Sequence, residues 1–505
     1  MFIISICFAI RRIEKQDYAI IEESIRKQLD IYFEPHEIEQ LARESKFVQR
    51  TGLLDGFTFL WLLTINSDDL ATESLNDLVT KLELEHGINM KKQSLDERFN
   101  QHAVCFLKKA VEALLNKHCS QGDSFMECDQ FKRILIKDSV CFQVDASLAE
   151  YFPGCGGSGS PATVRIQFEY DLVAGTIVDL SLHSFVEQDA DNSTMTLDVV
   201  NEGDLIIRDL AYMHITALKG ILSRLGDFLC RLQARRRIYQ LRNDEIVELD
   251  FTGIVQSMEK YQVDKIEEKV FLDKQMTLEV RLFIYLLPLD VYQERIRKAN
   301  LNAKKKGRQL SREFKARARL NLFITSAPED VLDIETAWKA YTLRWQIELG
   351  FKVWKSLWKI DKVKKVKKER LECYIWSKLF IIVLSLHLLW ITHGLMRSRY
   401  GCNLSFYKAT KTLISSLRNK LKQALVGGTA STVQFLIDFL DLSLRRHLLE
   451  KKKGGNNSPE ILFKGGVSTS RKHPLYIVVI ADQPIIRYGF HYDSLLHQPI
   501  KQHST

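Results

Sequence analysis

A chain of 505 residues, 46% hydrophobic and 27% charged, has material for about three folded domains, so disorder is not the default reading. Its net charge of +9 is modest for that length, so basic residues matter by where they gather. Nine cysteines without one C-x-x-C pair argue against a disulfide framework and a zinc site, and suit a reducing cytosol.

Met1 to Ile10 is apolar but lacks a basic start and runs straight into Arg11-Arg12, which makes a poor signal peptide. Residues 11 to about 120 read as helical, with Ile20, Ile21, Ile25 and Leu29 at helical spacing. Ser74 to Glu85 predicts a helix with a Ser start. His86-Gly87-Ile88-Asn89 turns, and Met90 to Leu115 resumes a long amphipathic pattern. That is the outline of a helix-turn-helix, which plain helical bundles share.

The character changes near residue 131. Arg133 to Val144 reads as a strand, 154–160 (GCGGSGS) as a flexible connector, and 163–184 as a hairpin turning at Ala174-Gly175. A short helix, a strand from Asp204 to Asp209, a helix from Met213 to Leu225 and a strand from Phe228 to Leu232 follow. From 238 to about 300 the chain looks β-rich, with strands at 249–254 (LDFTGI), 268–272 and 278–287. Arg319 to Ser326 is a strand and Glu335 to Trp358 a helix. Leu379 to Ile391 is strongly apolar but short of the roughly 20 residues a membrane span needs, so it reads as a buried core helix. After about 450 a Lys/Gly/Asn linker opens a tail whose strand-like patch, 475–480, is assigned no role.

Three basic clusters stand out. Lys304, Lys305, Lys306, Arg308, Arg312, Lys315, Arg317 and Arg319 face one acid, Glu313. Lys362 to Arg370 holds six basic residues against Glu369, and Arg235-Arg236-Arg237 is the third. Any one of these could be solvated surface. Three around one segment favour a polyanion, since each phosphate neutralised releases counterions.

That segment is AYTLRWQIELGFKVWKSLWK. Tyr341, Arg344, Glu348 and Lys355 have offsets of 0, 3, 7 and 14. At about 100° per residue they fall at about 0, 300, 340 and 320°, on one stripe. A salt-bridge-laced surface helix would show the same Arg344–Glu348 pair. Two further acids sit in apolar strand surroundings, Asp138 and Asp209, where an unpaired carboxylate is costly. Three such carboxylates brought together would bind hard divalent cations and suit metal-assisted phosphoryl transfer. The residues alone leave Asp145, Asp171, Asp179 and Asp204 as rivals.

Tyr-x2-Arg-x3-Glu-x6-Lys resembles the Y-R-E-K signature of the family-four insertion-sequence transposases, and it stands intact at Tyr341, Arg344, Glu348 and Lys355. The resemblance implies a DDE enzyme on a ribonuclease H-like fold. Its first Asp matches Asp138; its second, in a motif resembling Asp-x-Gly-Tyr, matches Asp209-Leu210-Ala211-Tyr212; Glu348 is the third. Ala211 replaces the usual Gly, and Val140 follows Ser139 where Thr is common. Some relatives stack an extruded base on an insertion-domain Trp; residues 238–322 contain none, leaving Phe251, Tyr261, Phe271, Phe283 and Tyr285, which read first as packing.

The expectation is therefore an α/β, ribonuclease H-like catalytic core (126–237 and 323–450) interrupted by a β-rich insertion (238–322), behind a helical N-terminal DNA-binding region (1–125), with a tail (451–505). Asp138, Asp209 and Glu348 would hold two Mg2+, with Mn2+ able to substitute. Tyr341, Arg344, Lys355 and Lys304, Lys305 and Lys306 would contact DNA: the terminal inverted repeats and the target. The resemblance also implies a homodimer on DNA, in the cytoplasm at the nucleoid, without a membrane. The alternative is a catalytically inactive, domesticated DNA-binding protein.

Overall fold

The computed structural model describes residues 13, 17–29, 35–66, 72–119, 130–156, 159–233 and 236–449. The apolar start, positions 157–158 of the Gly/Ser connector, Arg235 and the tail after 450 lie outside the described residues.

The chain opens with helices α1 (Tyr18–Gln28), α2 (Pro35–Glu44), α3 (Gly56–Trp61), α4 (Leu75–His86), α5 (Lys92–Arg98) and α6 (Gln101–Cys119). Ile21 and Ile25 of α1 are buried and Ile20 is exposed, which narrows the expected stripe. A capping box starts α4: Ser74 accepts from the Asp77 N–H and the Asp77 carboxylate from the Ser74 N–H. Gly87, at φ +64°, ends it. The long pattern from Met90 is two helices rather than one. Asn100 breaks it, its Oδ1 accepting from the backbone of His102 and Ala103 and capping α6.

The middle of the chain builds one ten-stranded sheet. Its first part is β1 (Arg133–Gln143), β2 (Thr163–Asp171), β3 (Thr176–Ser184), α7 (Asp189–Met195), β4 (Asp204–Arg208), α8 (Ile215–Leu222) and β5 (Asp227–Arg231). Gly175, at φ +71°, makes the β2–β3 turn as expected. Next come β6 (Tyr239–Arg242), β7 (Glu245–Glu248), α9 (Phe251–Tyr261), β8 (Lys265–Phe271), β9 (Glu279–Leu286), α10 (Leu289–Lys305), α11 (Arg312–Ala318) and β10 (Leu320–Thr325). The segment 249–254, read as a strand, instead starts α9: Asp250 accepts from the Thr252 N–H, and Phe251 and Met258 are buried on one face. Residues 238–322 are thus as much helix as strand.

The strand order is β3-β2-β1-β4-β5-β10-β9-β8-β6-β7. β1, β4 and β5 run parallel, and the other neighbours are antiparallel. Along β1 and β4, side chains alternate between two cores. Ile134, Ile136, Leu205 and Ile207 face one with the N-terminal and C-terminal helices, whereas Leu135 and Ile206 face the other with α8 and α9.

The C-terminal helices are α12 (Ile334–Thr342), α13 (Trp345–Ser356), α14 (Lys368–Tyr400), α15 (Phe406–Ser415), α16 (Arg418–Val426) and α17 (Gly428–Arg446). The expected helix from 335 to 358 is divided at Leu343–Arg344, where Arg344 N–H bonds Tyr341 O and Ile347 N–H bonds Arg344 O, a tighter winding than α. Among the described residues α14 is long and apolar enough to cross a membrane. From Leu379 to Ile391 every residue except Leu386 is buried inside the protein, as a core helix should be. α6 lies along α14, and α1 lies against α17, so the N-terminal helices share a core with the C-terminal ones.

Candidate active site

The register of two parallel strands begins the site. Lys137 pairs with Arg208, so the next residues stand level, Asp138 midway along β1 and Asp209 just past the end of β4. Both share the parity of Ile136 and Ile207 and therefore face α12 and α13. α13 is held against β1 by Phe168, which neighbours Asp138 on β2 and packs edge-on to Phe351 and Trp354. That packing brings Glu348 to the two aspartates.

All four residues of the helical stripe arrive at this place despite the break between α12 and α13. Tyr341 Oη donates to Asp209 Oδ1 at 3.1 Å. Arg344 lies between two carboxylates: Nη1 donates to Asp138 Oδ2 at 2.9 Å and Nη2 to Glu348 Oε1 at 2.5 Å. Lys355 Nζ donates to the Cys141 carbonyl at 2.9 Å, tying the end of α13 to β1. The rival acids have local employment. Asp145 caps a turn at Ser147, Asp171 accepts from the Val173 N–H, Asp179 meets Lys137 and Asp204 pairs with Arg133.

Electrostatics mark the site as strained for negative charge. Burial pushes the Asp138 carboxyl up to about 7; Arg344 opposes the rise, while Asp209 and Glu348 add to it. Burial works against the Arg344 charge, yet Asp209, Tyr341, Asp138 and Glu348 outweigh it and hold the guanidinium protonated above its ordinary range. The Tyr341 hydroxyl is pushed up by burial and by Asp209, so it keeps the proton that it donates to Asp209.

Asp138 and Glu348 open on a cleft of about 560 Å³, lined also by Ser139, Cys141, Lys352, Lys355 and Lys362. Lys352 and Lys362 are exposed. Lys352 was not among the predicted residues, although it lies four residues after Glu348, one turn along the same face.

The basic block divides. Lys304, Lys305 and Lys306 are exposed where α10 ends. Arg317 and Arg319 are buried, paired with Glu313 and Glu259, so they belong to the fold. Leu286 pairs with Leu320, and Phe323 with Arg231, so α10 and α11 leave and re-enter the sheet at the end where Asp209 stands. In the second cluster Lys367 and Arg370 pair with Asp96, and Lys364 reaches the Glu73 carbonyl. Of the insertion aromatics, Phe251 and Phe283 are core, Tyr285 bonds the Ile334 carbonyl, and Tyr261 is exposed.

Donor chemistry fits a hard divalent ion: Asp138, Asp209 and Glu348 are three carboxylates gathered around Arg344 and Tyr341. Among the described residues no group of three His, Cys, Asp or Glu side chains is drawn tight enough to close on an ion unaided. Here Arg344 stands between Asp138 and Glu348 as their cation.

Residues 129–384 match the model of the transposase DDE domain family. The chain belongs to the DDE transposases. It is 32% identical over 446 residues to the transposase for insertion sequence element IS231E of Bacillus thuringiensis subsp. finitimus, covering 84% of this chain and 93% of that one. The IS231C transposase of B. thuringiensis subsp. berliner is 31% identical over 85% of this chain and 95% of its own. The IS1151 transposase of Clostridium perfringens is 28% identical over 72% and 79%. The expected DDE transposase of an insertion sequence is therefore borne out, and a DDE family implies nuclease and transferase chemistry on divalent metal ions.

Proposed function

We propose that this protein is the transposase of an insertion sequence, which cleaves DNA at the element's ends and joins the freed 3′-hydroxyl to target DNA by in-line phosphoryl transfer. The observation that carries the reading is the convergence of Asp138, Asp209 and Glu348, from β1, the end of β4 and α13, with Asp138 and Glu348 opening on a cleft that Lys352, Lys355 and Lys362 also line. The strand order β3-β2-β1-β4-β5, with a parallel β1–β4–β5 core, supports a ribonuclease H-like fold over 126–237 and 323–450, extended by 238–322.

Asp138, Asp209 and Glu348 would hold two Mg2+, or Mn2+ in their place. Bound there, the ions supply Lewis acidity that activates the attacking water or 3′-hydroxyl and steadies the leaving oxygen. The protein's own groups do the positioning. Phe168, Phe351 and Trp354 fix the approach of α13 to β1. Tyr341 donates to Asp209 and orients it. Arg344 and Lys355 are placed to exchange their present carboxylate and carbonyl partners for DNA phosphates, and Lys352 and Lys362 line the same wall. Lys304, Lys305 and Lys306, projecting from the catalytic end of the sheet, extend the DNA-binding surface. α5, with Lys91, Lys92, Gln93 and Ser94 exposed at its start, suits recognition of the terminal repeat. Two ends must be handled together, so the working unit is a homodimer on DNA, in the cytoplasm.

The intact Asp138, Asp209 and Glu348 argue against a catalytically inactive, domesticated DNA-binding protein. The test is incubation of the purified protein with labelled DNA spanning the flanking terminal repeat, in Mg2+ and in EDTA, beside Glu348→Gln and Asp138→Ala. Metal-dependent nicking at the repeat boundary, lost in both variants while DNA binding persists, is the expected result. Binding without nicking in either Mg2+ or Mn2+ would overturn the enzyme in favour of that inactive protein.

A further inference from the structure

One residue behind the catalytic row, on the opposite face of the sheet, lies a row of buried charge. Asp179, Glu169, Lys137 and Arg208 are cross-strand neighbours on β3, β2, β1 and β4. Glu169 and Lys137 are 0% exposed and Arg208 is 1% exposed. Lys137 Nζ reaches Glu169 Oε2 at 3.2 Å, Asp179 Oδ2 at 3.4 Å and Thr196 Oγ1 at 2.6 Å. Arg208 Nη2 donates to Glu169 Oε1 at 3.0 Å. Apolar side chains of similar volume would often serve stability as well as buried ions do, so such a row calls for another use.

The use is visible at Asp209. Its two flanks are tied to one residue of α7, Ser193, itself 0% exposed. Before Asp209, Arg208 Nη1 donates to Ser193 Oγ at 2.7 Å and to Ser193 O at 2.9 Å. After it, the Ser193 hydroxyl donates to the Tyr212 carbonyl at 2.9 Å. A single hydroxyl therefore accepts from one side of the corner and donates to the other. Gln233 Nε2 reaches the Leu210 carbonyl at 3.1 Å, and the Tyr212 N–H closes the turn on Asp209 O at 3.0 Å. Asp209 itself is extended, at φ −75° and ψ 169°, and its carboxylate caps nothing. Tyr341 meets the carboxylate from in front, and the backbone that aims it is set by the corner around it.

We infer that Ser193, braced by Arg208 and the Glu169–Lys137 pair, is a positioning residue that clamps the β4 corner and fixes the aim of the Asp209 carboxylate. The inference rests on Asp209 being a metal ligand. Groups that orient a ligand from behind commonly carry about 10-fold to 100-fold of metal affinity.

The test uses the full-length protein and Mn2+ alone, with free Mn2+ read by electron paramagnetic resonance and thermal midpoint measured in parallel. Ser193→Ala is expected to remain folded and to bind Mn2+ about 10-fold to 100-fold more weakly. It should lower kcat for strand cleavage while leaving KM for end DNA unchanged. Ser193→Thr, which keeps the hydroxyl, should restore affinity, and Arg208→Lys, which keeps the charge but not the fork, should not. Asp209→Asn is measured alongside. If it loses Mn2+ binding while Ser193→Ala keeps wild-type affinity, with or without a lowered midpoint, the clamp is overturned and the carboxylate set stands. If Asp209→Asn itself binds Mn2+ normally, both fall.

Discussion

Arg344 and Asp138 are 206 positions apart in the chain and 2.9 Å apart in space, with the second arm of the same guanidinium on Glu348. The guanidinium Nε is buried without a hydrogen-bond partner, so the seat serves the carboxylates better than it serves the arginine. Arg344 and a divalent ion compete for the same oxygens. Arg344→Gln should strengthen Mn2+ binding by the DNA-free protein about tenfold, the effect of removing one screened charge of roughly 1.4 kcal/mol. It should weaken binding to end DNA and reduce cleavage. Calorimetric titration decides: weaker Mn2+ binding in the variant would mean that Arg344 organises the carboxylates instead of competing for them.

The two halves of the basic block should separate by experiment. Neutralising Lys304, Lys305 and Lys306 to Gln should leave the thermal midpoint unchanged and flatten the dependence of log K on log salt, by roughly 0.9 for each phosphate that is no longer neutralised. Arg317→Gln and Arg319→Gln should do the reverse. Arg317 also donates to the Arg236 carbonyl and lies over the Phe251 ring, so its removal strips packing and pairing together. An unchanged salt slope in the lysine variant would make Lys304–Lys306 ordinary surface.

That division also shows what the sequence could and could not convey. β1, the hairpin at Gly175 and the Tyr341–Lys355 spacing were legible because alternation, a left-handed glycine and helical offsets are local signals. The 249–254 error was local too: Asp250 is a cap, but the β-branched and aromatic residues after it outvoted it. Arg317 and Arg319 could not be told from Lys304–Lys306 because the groups that bury them, the Arg236 carbonyl and the Phe251 ring for Arg317 and Glu259 for Arg319, are remote in the chain. The Asp179–Glu169–Lys137–Arg208 row was illegible for the same reason, since it exists only once four strands are in register. A faint trace remained: a basic residue immediately precedes each of the two aspartates in an apolar strand.

Tyr341 offers a cleaner separation of orientation from packing. Its ring packs at 4.7 Å on Phe323 and its hydroxyl donates to Asp209. Tyr341→Phe keeps the ring and deletes one charge-assisted hydrogen bond, worth about 1.5–3 kcal/mol where fully formed. The expected outcome is a thermal midpoint close to wild type with kcat for cleavage lowered about tenfold or more. Loss of folding instead would place the hydroxyl in the stability of the α12–β4 packing, and an unchanged kcat would remove Tyr341 from the orientation of Asp209.

The last prediction concerns acid. His393, buried in the C-terminal third of α14, accepts from the Leu404 N–H through Nδ1 at 3.2 Å. Burial first, and Arg397 second, push its imidazole down from 6.5 to about 3. His447, between Ser443 and Thr412, is pushed down to about 4, by burial and then Lys408. Both are neutral in the folded protein at pH 5, whereas an unfolded chain would protonate them below about 6.5. The unfolded state then binds more protons, so stability is full above about pH 6.5 and declines as pH falls toward the folded values of about 3 and about 4. Urea midpoints at pH 7.5 and pH 5, compared with His393→Gln, check the sign. That variant keeps an acceptor for Leu404 but cannot titrate, so its midpoint should fall less between the two pH values. An equal fall in both proteins would mean that His393 takes no part in the acid sensitivity of the fold.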